Sequence, residues 1–469
     1  VAFVVSGPTL SSVIFLILAS SLLGAIAWGA MRLPTIPILR LALLASFSFR
    51  LEKNLFPVPT QHNDPPGFTI SLMLILSVML FVAYFLEQWQ GARRESVFPS
   101  SFALALVGTF TGCSLSIVYG AEGWLGFYSL FALASSFLMC FVVAAHFSER
   151  EALRSAVILI AAAVALNGII GLSQYWFGLF TNLAIIGSGA PDAKNIVGES
   201  ELSRINALLE KPNAFAWYLV TFAPVTISML ILKVEEFRRW ERVLFFVSSG
   251  LAFVSLILTY ARGSWLTFII SMLLMLILCY RVLSVDERRR FILKIAGLAV
   301  VIGVMMLPLA GSIYARLTED DKGAAYVRIP LMQVALEMIK DNPMLGVGLG
   351  SYEAEMSRYD ETPEFVSQGF DWPVHNIFLH MAAEGGIPAT LCFLLLVAIA
   401  FWKGKEVLSS NDPFLRALAI GLICGLFAFL WTGMKELGSF GSGAIRLCLL
   451  FCGLLMAVSR LHQRFAQDK

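Results

Sequence analysis

Charge is what this sequence has least of. Only 14% of its 469 residues are Asp, Glu, Lys or Arg, against 58% hydrophobic. A soluble domain carries about 25% charged residues. With a mean hydropathy of +0.79, a single water-soluble core is excluded, because it could not hide so much apolar surface. Disorder is excluded by the same apolar excess. A net charge of +2 offers no field for nucleic acid, so no nucleic-acid partner is expected. Histidine is also sparse, with five in all, and none of the seven cysteines lies in a CxxC pair or a polar loop. Neither a zinc cluster nor a disulfide framework is suggested. What is abundant is the long apolar run, and the composition is that of a polytopic membrane protein.

A helix needs about 20 apolar residues to cross a bilayer. Candidate spans are 9–31, 68–86, 101–119, 124–146, 153–180, 212–233, 241–260, 263–282, 291–312, 386–402, 414–433 and 444–460. Segment 35–50 is a thirteenth candidate, short and carrying Arg40. The run at 9–31 has no basic region before it, so it reads as a membrane helix rather than a removed signal peptide. The expectation is an all-α membrane protein of about twelve spans. It divides into a bundle over 1–312, a helical outer loop over 313–385 and a second part of the bundle over 386–469.

Loops near 87–100, 147–154, 233–242, 281–294 and 403–416, with the C-terminal tail, hold more than half of the 34 Lys and Arg. The positive-inside rule sets these in the cytoplasm. The N-terminal region 32–67 stays ambiguous, because Arg40 is cytoplasmic only if 35–50 crosses. Within the outer loop, Val327, Leu331, Val334, Ala335, Met338 and Ile339 recur at helical spacing. They describe an amphipathic helix stopped by Asp341-Asn342-Pro343.

The charges left on the outer side are the informative ones. Arg204 has no local structural reason. Arg262 sits in Thr259-Tyr260-Ala261-Arg262, where two spans meet almost without a loop. An arginine there can snorkel to the interface or point into the outer mouth. Arg328 opens the amphipathic helix, where a solvated face is the ordinary reading. His375-Asn376 precedes a span, with His380 five residues on. Two histidines at that spacing lie about 140° apart on a helix and do not form the i, i+4 pair of a metal site. His375 is the candidate base, and His380 a packing or hydrogen-bonding residue. Gly346-Val347-Gly348-Leu349-Gly350 lacks the context of a phosphate loop and reads as a helix-terminating bend.

Guanidinium groups match phosphate oxygens and keep their charge. Arginines at one mouth, with a histidine, therefore suit transfer from a lipid diphosphate, and equally the binding site of a phospholipid transporter. The residues also resemble a known family. Arg204 with Pro212-Asn213, Arg262 at the turn, Arg328 leading to Asn342-Pro343, the 346–350 glycine run, and His375-Asn376 with Leu379 and Glu384-Gly385 are similar in order and spacing to the O-antigen ligase and O-antigen polymerase superfamily. The resemblance implies a GT-C-like glycosyltransferase of the bacterial inner membrane, with its active site facing the periplasm. It implies His375 as catalytic base and Arg204 and Arg262 as diphosphate ligands. Arg328 and Asn376 are further candidates for substrate binding. It implies no metal and no other cofactor. The partners it implies are an undecaprenyl-diphosphate-linked glycan, a lipid A–core acceptor and membrane lipid. An O-antigen ligase of lipopolysaccharide biosynthesis is favoured, ahead of a polymerase, a protein O-oligosaccharyltransferase and a transporter.

Overall fold

In the computed structural model, the described residues are 35–48, 52–55, 67–91, 96–120, 123–179, 204–209, 211–232, 234–293, 310–318, 327–363, 365–370, 372–436, 438, 440 and 442–467. The expected span 9–31 and most of 291–312 lie outside them.

Among these residues, ten helices are long and apolar enough to cross a membrane. They accompany short elements in this chain order: α1 (Thr35–Ala45), β1 (Glu52–Leu55), β2 (Phe68–Ser71), α2 (Leu72–Trp89), α3 (Ser100–Ser116), α4 (Gly123–His146), α5 (Arg150–Phe177), α6 (Pro212–Ile231), α7 (Arg239–Leu258), α8 (Arg262–Val282), α9 (Ala310–Thr318), α10 (Arg328–Asp341), α11 (Tyr352–Glu355), α12 (Val366–Gly369), α13 (Ile377–Val407), α14 (Pro413–Gly433) and α15 (Gly443–Gln467). The chain is an all-α multi-pass membrane protein. Every expected span within the described residues is found, with shifted ends. The exception to all-α is a small antiparallel ladder pairing β1 with β2. It takes Phe68–Ser71 from the expected 68–86 span, and Ser71 then caps α2 by accepting the Leu74 N–H.

The chain forms two compact units. One is drawn from Val1–Ala156, Tyr326–Lys403 and Gly433–Lys469; the other from Val157–Ala325 and Gly404–Thr432.

In the first unit, α2, α4 and α15 run between an arginine-rich basic end and the opposite, site end. Arg40 of α1 binds Glu149 at 3.2 Å at the basic end. Twelve residues later Glu52 binds Arg446 at 2.9 Å, near the start of α15 at the site end. Arg40 thus lies with the other basic-end arginines, and Glu52 at the opposite end. At the site end, α10 lays Leu331, Val334, Ala335 and Met338 against Tyr352, Met356, Val366, Val374 and Ala383. These are the residues that the helical spacing selects, and the helix ends at Asp341 as expected.

The central irregularity is in α13. Gly386 takes φ +80° and ψ 166°, which breaks the helix into a short first half and a long second half. Pro388 follows and cannot donate to the ladder. Backbone groups freed in an apolar interior must find partners. The 343–348 loop provides them: Val347 N–H donates to the Ala383 carbonyl at 2.8 Å, Gly348 N–H to Glu384 at 3.3 Å, and Ile387 N–H to Pro343 at 2.8 Å. The Ser116 hydroxyl adds a 2.6 Å bond to the Glu384 carbonyl. The glycine run is therefore a bend, as expected, and it is docked on the break.

Gly348 has φ +108°, and a Cβ there would collide with the backbone of Gly120. Gly348→Ala is expected to lose about 1–3 kcal/mol from the backbone conformation alone, with the clash in addition. The check is the thermal unfolding midpoint in detergent, which should fall by several degrees; an unchanged midpoint would contradict this packing.

Candidate active site

The residues singled out from the sequence fall into two groups, one in each unit.

In the second unit, α7 turns into α8 through Thr259-Tyr260-Ala261. Tyr260 is fully buried and left-handed at φ +51°, a conformation that persists only where its surroundings enforce it. Thr259 Oγ1 donates to the Leu256 carbonyl at 2.6 Å, and Trp265 Nε1 donates to the same carbonyl at 2.9 Å. The turn starts α8 at Arg262, which is half-buried. Arg204 is brought to this turn. Its Nε donates to the Thr259 carbonyl at 2.7 Å and its Nη2 to Asn213 Oδ1 at 2.8 Å. Arg204 thus has a structural reason that its local sequence hides, bracing the turn against the start of α6. The structure brings Arg204 to the turn that carries Arg262.

In the first unit, His375 is held from both sides. Val374 is fully buried against α10. Asn376 is the N-cap of α13: its Oδ1 accepts the N–H of Phe378 at 3.0 Å and of Leu379 at 3.2 Å. Those bonds orient the stretch around His375.

His375 is half-buried, and its Nδ1 is buried without a hydrogen-bond partner. Burial, then the nearby Arg328 guanidinium, pulls its pKa down to about 4, against a hydrogen bond to the Pro373 carbonyl. The ring is neutral at pH 7. Arg328 is exposed at the first position of α10, so it is a solvated residue that also acts on His375. Lys435, beyond α14, was not among the residues singled out from sequence. Burial lowers its pKa; Glu436 opposes the shift and Arg328 adds to it. Its only sequence signal is a lysine in an outer loop.

His380 is buried one turn into α13. Its Nε2 lies 3.4 Å from Glu384 Oε1, and its ring meets Tyr352 edge-on at 4.7 Å between centroids. This matches the packing role expected for it. An i, i+4 His–Glu pair is a helical neighbour relation visible in sequence. No group of three or more His, Cys, Asp or Glu is placed to hold a metal among the described residues.

A family model described as O-Antigen ligase matches residues 247–394. Over that stretch the chain is similar to the O-antigen ligase family. The matched stretch contains Arg262, Arg328, His375 and Asn376, while Arg204 precedes it. No curated protein matches the chain. The O-antigen ligase family points to ligase- or polymerase-type glycan transfer on lipid-linked substrates.

If Arg328 helps hold His375 neutral, removing its charge must raise the histidine pKa. In Arg328→Gln, the His375 titration followed by NMR is expected to move upward from about 4; an unmoved midpoint would show that burial acts alone.

Proposed function

We propose that the protein is an O-antigen ligase. It transfers a polysaccharide from undecaprenyl diphosphate to a hydroxyl of lipid A–core at the periplasmic face of the inner membrane. The observation that carries this reading is the O-antigen ligase match spanning a neutral, half-buried His375 with a free ring nitrogen.

In the reaction, the acceptor oxygen attacks the anomeric carbon. The carbon–oxygen bond to the diphosphate breaks as the glycosidic bond forms. The acceptor proton passes to His375, and undecaprenyl diphosphate leaves as an anion. Arg204 and Arg262 stabilise the charge that develops on it. Arg328 contributes to substrate binding. The neutral His375 ring can accept a proton, although a pKa of about 4 makes it a weak base at neutral pH. An arriving anion offsets the Arg328 charge and raises that pKa toward the range useful for general-base catalysis. The transfer is taken as metal-independent and GT-C-like on the family resemblance.

The acceptor is decided by reconstitution with a lipid-linked glycan, offered either lipid A–core or a second lipid-linked unit. A ligase gives a single transfer to lipid A–core, and a ladder of longer lipid-linked chains would assign a polymerase instead. Arg262→Ala is expected to lower the transfer rate about 10²–10³-fold. The acid limb of kcat/KM, which reports the free enzyme, should lie below that of kcat, which reports the loaded one. Coinciding limbs would remove the charge-compensation step.

A further inference from the structure

The first half of α13 carries two ionisable side chains that the transfer reaction does not use, His380 and Glu384. Both are buried, in a helix long and apolar enough to cross a membrane. An ionisable residue in such a place is costly, and it calls for a partner and a role.

The main chain of Glu384 already has its task. Its carbonyl accepts from Ser116 and from the Gly348 N–H, and any residue at 384 would supply that carbonyl. The side chain does something else. Its Oε1 accepts the Tyr352 N–H at 3.5 Å and lies 3.4 Å from His380 Nε2. The hydrogen of a neutral His380 ring therefore belongs on Nε2. His380 Nδ1 and Glu384 Oε2 are left buried without a hydrogen-bond partner. Burying two unpaired polar atoms costs stability, so packing alone does not account for the pair.

Tyr352 carries the contact onward. Its ring meets the His380 ring edge-on at 4.7 Å between centroids. The same buried ring belongs to one core with Val374, and its hydroxyl lies by the Val374 backbone. Val374 is the residue before His375. Glu384, His380, Tyr352 and Val374 thus form a line from the break in α13 to the segment that bears His375. On the other side of His375, Asn376 caps the helix. One neighbour of His375 is fixed by the cap, and the other by a line of contacts that ends on the Glu384 carboxylate.

We propose that Glu384 is a positioning residue for His375, acting as a hydrogen-bond acceptor through Tyr352 and His380. The inference rests on the reading of His375 as the base, and it assigns a role to the ionisable pair that this reading leaves unused.

The test is an NMR titration of His375 in the full, unliganded chain in detergent, paired with steady-state glycan transfer. Glu384→Ala removes the acceptor and leaves the main-chain bonds of the break in place. His375 should then lose part of its burial, so its midpoint should rise from about 4 toward the ordinary histidine range. The kcat should fall about 10–10²-fold, as for a misplaced reacting group, with donor KM little changed. Glu384→Gln keeps the accepting oxygen and should hold the midpoint and return most of the rate. Leu455→Ala opens a cavity in α15, outside the line; it should lower stability and leave the midpoint in place. An unmoved midpoint in Glu384→Ala would overturn the proposal, as would an equal shift in Leu455→Ala or a glutamine variant that behaves as the alanine one. If Glu384→Ala does not fold, Tyr352→Leu decides by the same midpoint, because it keeps the N–H bond to Glu384 and removes the ring. The titration needs no substrate. A moved midpoint in a chain whose His375→Gln variant transfers at the unaltered rate would contradict the base reading and leave the positioning intact.

Discussion

The backbone of α13 cannot remain helical through Gly386, and the groups it frees cannot be left in an apolar surround. An unpaired peptide group in such a place costs several kcal/mol. The 343–348 loop resolves this by giving its own N–H groups to Ala383 and Glu384 and accepting from Ile387. The first half of α13 is thereby fixed to the loop, and the loop to α10 through the core that includes Met338, Val347 and Tyr352. His375 and Arg328 sit at the starts of those two fixed helices. The break thus helps set how near Arg328 lies to His375, an influence second to burial of the ring.

The charges divide by task. At the basic end they are numerous, and several are tied to helix-end carbonyls or carboxylates, as with Arg460 on Ala144 and Arg40 on Glu149. In the second unit an arginine is positioned by a turn. Arg204 is held by the Thr259 carbonyl and Asn213, so on the proposed reading its guanidinium is oriented before a diphosphate arrives. Orientation set in advance lowers the reorganisation that catalysis requires.

The spans were legible because twenty-residue apolar runs carry their own signal, and α10 was legible because its buried residues repeat at helical spacing. The α7–α8 turn was legible because no room exists for a loop. Other features depend on partners distant in sequence. Phe68–Ser71 is apolar enough to pass for the start of a span, and only its ladder with Glu52–Leu55 makes it a strand. The expected span begins at 386, whereas the helix begins at Ile377; His380 and Glu384 interrupt the apolar run of the half-helix before the break. The bond from Arg204 to Thr259 crosses 55 residues, and the pairing of Arg40 with Glu149 crosses 109. No local pattern announces either.

The claim at the centre is that His375 takes the acceptor proton. Single-turnover glycan transfer by His375→Gln, with lipid-linked donor binding measured on the same protein, tests it most directly. A general base accounts for about 10²–10⁴-fold in rate. The account predicts a loss in that range with donor affinity retained; transfer at the unaltered rate, or a loss that donor binding fully explains, would contradict it.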